Sequence, residues 1–398
     1  MNTLEDRVRA ATHAIAGTVA PDSAPPLRLP ADPGRRGAPG RARRWAHGLT
    51  PAAAALAVAA VVLGSLALQH GGQNGLPVSP GPLPGGLPRY YAALVQEPTG
   101  PWWAEVRTTV TGRVLGTVRP PLPFTRFSEV AAAPDDHTFV LAGIGPQGQP
   151  SVTQLYALRL NPATGQVRLS RLPIPLIPER WRVNALAVSP DGSRLAVALE
   201  PPGAERPRLQ LFSMTTGALL REWGVNTSRP GAAPVIGFMS WAPDGRTLEC
   251  SYPLHGNGAA LLDVTRPGRS LLGNSTVVQF PKWAALTGNL TVTDGGRLIA
   301  SAADVANAHN IVTGWVVAEF SASTGKAVRI FHRQSFRGGN QPMGPATVWW
   351  ASPSGRLLIA SPAPRGPGAS QASTGLGVFT GHRYIPLPWS HRIAEAAW

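Results

Sequence analysis

Five short segments recur along the later part of this chain, and each holds a tight turn between two apolar runs. They read VAAAPDDHTFVLAG (130–143), ALAVSPDGSRLAVAL (185–199), FMSWAPDGRTLECSY (238–252), LTVTDGGRLIASA (290–302) and VWWASPSGRLLIAS (348–361). Their turn residues are Asp135-Asp136, Asp191-Gly192, Asp244-Gly245, Gly295-Gly296 and Ser354-Gly355, about 50–60 residues apart. A two-residue turn between alternating apolar runs needs positive φ, which glycine supplies without steric cost, so each segment predicts a β-hairpin. A second hairpin follows each one, turning at Gly165, Gly217, Gly268, Gly325 and Gly381. The repeating unit is therefore four antiparallel strands, and a unit of that size cannot bury both of its faces alone.

The flanks of this array supply a further unit. Tyr90 to Val95 and Ala104 to Val118, with a turn at Thr111-Gly112, give the second, third and fourth strands of a unit that lacks its first. His391 to Trp398 (HRIAEAAW) gives a first strand alone. Joined, they complete a sixth unit and protect the sheet edges that an open array would expose. The fold class is thus all-β: a six-bladed β-propeller over 89–398, closed by the C-terminal strand. Composition agrees, since 44 glycines and 42 prolines are spread along the chain as turn formers rather than gathered in one tail.

A different physics governs the N-terminal part. No Asp, Glu, Lys or Arg occurs between Arg44 and Arg89. Within that window LTPAAAALAVAAVVLGSLAL (49–68) has the ~20 residues that cross a bilayer as a helix. Arg35, Arg36, Arg41, Arg43 and Arg44 precede it, so the positive-inside rule leaves the N-terminus in the cytoplasm and exports residues 70–398. The alternatives are a cleaved signal peptide, with Gly64-Ser65-Leu66-Ala67 as a mediocre site, and a buried soluble helix. Leu4, Val8, Ala11 and Ile15 fall at helical spacing, which predicts a short amphipathic helix within 1–19. The expected organisation is that helix, a basic linker (20–48), a transmembrane helix (49–69), a Gly/Pro linker (70–88) and the propeller (89–398). The expected location is the cell membrane, single-pass, with the propeller on the extracytoplasmic side.

The run SPDGxxLAVA followed by xTGxxLR resembles the WD40-like and TolB-like propellers of bacteria. The helix, linker and span ahead of it resemble uncharacterised actinobacterial single-pass membrane proteins. This resemblance implies the propeller fold and is almost silent on activity.

Charge and motifs narrow the function by exclusion. The formal charge is +15, with 28 basic against 17 acidic residues in 70–398, but these arginines are scattered along the sequence. That suits contact with anionic lipid or an envelope polymer, and no stripe or recognition motif points to nucleic acid. The single cysteine, Cys250, excludes an intramolecular disulfide and multi-cysteine zinc sites, and reads as a small buried strand residue. No Gly-x-Ser-x-Gly elbow, His-Glu-x-x-His pair or phosphate-binding loop occurs. No cofactor, metal or catalytic residue is assigned.

A ligand would be met by loops at one mouth of the ring: Leu172–Arg182, Gly224–Pro234 and Phe331–Pro345, with those carrying His255, His309 and Pro362–Ser373. The candidate ligand-binding residues are Arg180, Arg229, His255, His309, Arg333 and Arg337. Trp181, Trp241, Trp349 and Trp350 sit in or beside first strands and read as packing. The leading function is a non-catalytic, membrane-anchored binding or scaffold module for a protein or envelope polymer. The alternatives are a transmembrane sensor signalling through the N-terminal helix, and a propeller enzyme such as a lactonase or lyase. The scarcity of His, Asp and Glu on the predicted inner strands argues against the enzyme.

Overall fold

The computed structural model describes residues 86–96, 102–146, 152–201, 206–225, 236–251, 258–306, 311–335, 347–361, 376–380, 383–388 and 393–398. The chain divides into one unit ending at Leu76 and a second, Pro77–Trp398, to which every described residue belongs. The expected amphipathic helix, basic linker and apolar span lie outside the described residues. Among those described, no helix is long and apolar enough to cross a membrane.

Strands β1 (Tyr90–Gln96), β2 (Trp102–Thr108) and β3 (Val114–Val118) begin the first sheet. The second holds β4 (Arg126–Ala132), β5 (Thr138–Ile144), β6 (Thr153–Leu160) and β7 (Val167–Arg171). The third holds β8 (Arg182–Val188), β9 (Arg194–Glu200), β10 (Arg208–Ser213) and β11 (Leu219–Gly224). The fourth holds β12 (Met239–Trp241), β13 (Thr247–Ser251), β14 (Gly258–Asp263) and β15 (Ser275–Gln279). The fifth holds β16 (Ala284–Thr293), β17 (Arg297–Ala306), β18 (Ile311–Ser321) and β19 (Ala327–Ser335). The sixth holds β20 (Thr347–Ala351), β21 (Leu357–Ser361), β22 (Leu376–Thr380) and β23 (Arg383–Leu387). Last comes β24 (Ile393–Ala397), which returns to pair antiparallel with β1 and completes the first sheet. Six four-stranded blades closed by the C-terminal strand are what the repeats predict.

Each second strand is buried on both faces, so its sequence is a near-continuous apolar run in which period two sorts side chains between neighbours. In β9, Leu195, Val197 and Leu199 pack toward the second blade, while Ala196 and Ala198 pack toward the fourth. In β5, Phe139 and Leu141 pack toward the first blade, and Val140 and Ala142 toward the third. Larger residues on one face thus meet alanines on the next, and each apolar cluster is drawn from two consecutive blades. Cys250 is one of these buried residues.

The Pro-Asp turns explain themselves chemically. Asp244 accepts the backbone N–H groups of Arg246 (2.8 Å) and Thr247 (2.9 Å) and the Thr247 hydroxyl (2.9 Å). Asp135 does the same for His137 and Thr138, and Asp136, where the other turns have glycine, takes φ of 58°.

Two expectations are corrected. The fourth strand of blade four does not follow directly from the turn at Gly268. A short 3-10 turn, Leu272–Asn274, intervenes, and the strand starts at Ser275. Asn274 stabilises this detour by donating its side-chain amide to the carbonyls of Arg266 and Pro267, both at 3.2 Å. The segment Phe331–Ser335 is not loop but the end of β19, because it stays in register with β18, with His332 opposite Val317 and Gln334 opposite Trp315.

Candidate functional site

The first strand of each blade faces the axis, so β4, β8, β12, β16, β20 and β24 together wall a central channel. Its cavity measures about 610 Å³. Most of the residues lining it are apolar or aromatic, Phe238, Trp349 and Trp350 among them, but more of the surface exposed to the cavity is polar than apolar, with Ser128, Asn184, Thr291 and Thr347 also on the wall. Alanines line it on β4, β8 and β24, whereas β12 and β20 bring large side chains to it.

One sector departs from that pattern. Glu129 on β4 and Glu395 on β24 both line the cavity, on adjacent inner strands of the second and first blades. The backbone N–H of Val130 donates to Glu395 Oε1 at 3.2 Å, which sets that carboxyl beside the residue following Glu129. Both glutamates keep part of their surface open to the cavity while the strands around them exclude most water. Burial raises the affinity of Glu129 for its proton; the nearby Glu395 charge raises it further, and Arg182 opposes both. Burial likewise raises Glu395, against the Val130 hydrogen bond. Two carboxyls this close cannot both ionise cheaply, so the pair retains a proton at a pH where free glutamates have lost theirs.

Further polar groups on and behind the channel wall are incompletely bonded. Ser128 on β4 and Ser240 on β12, across the ring, also line the cavity, but their hydroxyl oxygens are turned out of contact with it and have no hydrogen-bond partner among the described residues. Across from Ser240 on β13 stands Glu249, 0% exposed. Burial pushes its carboxyl well above the usual range. Ser240 lies close enough to ease this without completing a hydrogen bond to either oxygen.

A pH dependence of stability follows. In the unfolded chain these glutamates titrate near ~4.3, whereas the folded state holds its protons to higher pH. Folding therefore takes up protons between those limits. Stability is greatest below the unfolded value and falls as pH rises toward the folded ones. The double variant Glu129→Gln/Glu395→Gln is expected to melt at least about 3 °C higher than wild type at pH 8, the shift of roughly 1–2 kcal/mol in a large domain. Melting followed by circular dichroism from pH 5 to 9 checks this, and the wild-type slope should shrink rather than vanish because Glu249 titrates in the same sense. An unchanged slope would exclude the pair as its source.

The sequence-predicted residues are placed differently. Arg180 is exposed, just ahead of β8. Arg333 lies on β19, the outermost strand of the fifth blade, with its guanidinium 5.6 Å from the Trp283 ring centroid. Neither lines the channel cavity. Arg229, His255, His309 and Arg337 lie outside the described residues. Trp181 and Trp241 are packing residues as expected, the latter donating its indole N–H to the Ala187 carbonyl at 3.1 Å. Trp349 and Trp350 are half-buried and also face the cavity.

The expected scarcity of acids on the inner strands is corrected by Glu129 and Glu395. Their signal was a lone carboxylate interrupting an apolar first strand: Glu129 occupies the place that Ala185 fills in the next repeat. Among the described residues, no three His, Cys, Asp or Glu side chains converge as a metal-ligand set.

Comparison with known proteins adds three structural likenesses. The chain is similar to TolB from Acinetobacter baumannii (16% identity, TM-score 0.49, covering 79% of this chain and 67% of that one). It is similar to the periplasmic gluconolactonase of Pseudomonas aeruginosa (16%, 0.41, covering 78% and 98%). It is also similar to prolyl oligopeptidase B from Galerina marginata (9%, 0.44, covering 76% and 41%). No family model matches the chain, and no curated protein matches it.

Proposed function

We propose that the chain is a membrane-anchored, extracytoplasmic binding module, and that the propeller's central channel receives its partner, a protein segment or envelope polymer. The observation that supports this is the channel itself: a cavity of about 610 Å³ that mixes aromatic side chains with polar groups and carries its ionisable side chains in one sector, Glu129 and Glu395. Aromatic side chains with a few placed polar and charged groups in one concave site are what recognition pockets use to hold and orient a guest. The tether and its direction rest on the arginines before Leu49 and the uncharged run that follows.

Ala394 faces the cavity and is exposed there, so Ala394→Trp narrows the channel without entering the inter-blade core. The full chain, solubilised and immobilised, is expected to retain specific envelope components by cross-linking, and Ala394→Trp to lose them. Equal retention by both would remove the channel as the receptor. Retention of nothing by wild type would end the module reading.

The carboxyl pair also favours one alternative, a hydrolase or lyase, since a carboxyl that keeps its proton near neutral pH serves as a general acid. Turnover of a lactone or uronic-acid polymer that disappears in Glu129→Gln would replace the binding reading with that one.

A further inference from the structure

We propose that the Glu129–Glu395 sector of the channel is a binding site for a primary alkylammonium group, such as the side chain of a lysine. The inference rests on the channel being a receptor and names the chemistry of what enters it.

Several independent features of this sector point to the same guest. Glu129 and Glu395 reach the cavity from adjacent inner strands, with the Glu395 carboxyl anchored by the Val130 N–H at 3.2 Å. An ammonium carries three N–H donors and no acceptor, so it suits a sector whose ionisable side chains are two carboxyls that accept in pairs once ionised. Beside the pair, on the neighbouring sixth blade, the cavity supplies what the alkyl stem of a lysine needs, the half-buried rings of Trp349 and Trp350, together with the methyls of inner-strand alanines. A metal ion is a poorer fit, because no third acidic, His or Cys ligand joins the pair among the described residues.

Among the described residues, the charges facing the pair are each glutamate to the other and Arg182 from β8, which is exposed and bears on Glu129. Without a guest, a proton shared between the carboxyls relieves their repulsion. An arriving ammonium relieves it instead, so both groups become carboxylates and the protons the pair held at that pH leave to solvent. Binding is therefore coupled to proton release, and it tightens as pH rises toward the range where the pair ionises on its own.

Calorimetric titration of the full chain in detergent micelles tests this, with Nα-acetyl-lysine methylamide as probe and Nα-acetyl-norleucine methylamide as its uncharged counterpart. The lysine probe is expected to bind at least tenfold more tightly. At pH 7 it should release about one proton or more, read from the dependence of the binding heat on the buffer's ionisation heat. Glu129→Gln and Glu395→Gln are each expected to weaken the lysine probe tenfold or more and to abolish the proton release. If Glu395→Gln fails to fold because the Val130 contact is lost, Glu129→Gln carries the test alone.

Equal binding of the two probes, or a Glu129→Gln variant within twofold of wild type, overturns the proposal. Should Ala394→Trp abolish envelope retention while the lysine probe shows no advantage, the ligand class falls and the binding module stands. Should the lysine probe bind as expected while retention ignores Ala394→Trp, the site stands and the module reading falls.

Discussion

Deleting residues 393–398 is expected to leave the protein without a stable folded monomer. The reason lies in what β24 joins. It pairs with β1 from Ala92 opposite Ala397 to Val95 opposite Ile393, with a bulge between, and so supplies the inner strand of the first blade. Ile393, Ala396 and Trp398 are buried. The Trp398 ring stacks on Tyr91 at 4.6 Å between centroids, and its indole N–H donates to the Thr109 hydroxyl at 3.2 Å. Glu395 holds the backbone of β4 in the next blade. Removal exposes the edge of β1 and opens the apolar cluster shared by the first and sixth blades.

Truncating a buried tryptophan alone costs about 3–5 kcal/mol, and the net stability of a domain is typically ~5–15 kcal/mol. Trp398→Ala is therefore expected to lower the melting temperature by about 6–10 °C, and the deletion to remove the cooperative transition altogether. Size-exclusion chromatography and thermal melting read both. A peptide of residues 391–398 added in trans should restore part of the transition. A deletion variant that melts within about 3 °C of wild type would mean that the ring does not depend on this strand.

The second large effect is expected at two turn glycines. Gly217 and Gly325 take φ of 72° and 67°. A Cβ at Gly217 would run into the Pro173 carbonyl oxygen, and one at Gly325 into the Gln279 carbonyl oxygen. In each case the third-to-fourth-strand turn of one blade rests on the backbone leaving the previous blade. The same contact recurs across the closure, where a Cβ at Gly112 would lie 2.9 Å from that of Pro388.

Neither carbonyl can yield without moving a blade. Gly325→Ala is therefore expected to cost about 3 kcal/mol or more, the range of substitutions that combine steric overlap with left-handed strain. Gly165→Ala is the control: it has φ of 71° but nothing within 4 Å of the added carbon. Only the left-handed penalty of about 1–2 kcal/mol remains there. Urea unfolding of the two variants should separate them by at least about 1 kcal/mol. Equal losses would show that the turns do not bear on the preceding blade.

These two cases mark where the residues alone stop being informative. Gly165 and Gly325 sit at equivalent places in their repeats, and both read as turn formers, because positive φ is a local demand. What lies beyond the turn is a neighbour set by the ring, and no local pattern encodes it. Blade four shows the same limit: the turn at Gly268 was legible, but the detour through Leu272–Asn274 depends on Asn274 reaching back to the Arg266 and Pro267 carbonyls. Arg333 fell on a strand rather than a loop because pairing with β18 runs longer than the apolar alternation suggests.

From the sequence alone, the turn chemistry, the two-residue period and the spacing of the repeats determined the blades, their number and the closure by HRIAEAAW. Those are short-range properties, carried by Pro-Asp-Gly turns and by strands buried on both faces. Only the tertiary structure decided the channel. Glu129 and Glu395 are more than 260 residues apart, and each alone reads as an odd charge in an apolar strand. They become a pair because ring closure sets β24 beside β4, and carboxyls brought that close, away from water, must share a proton or a cation.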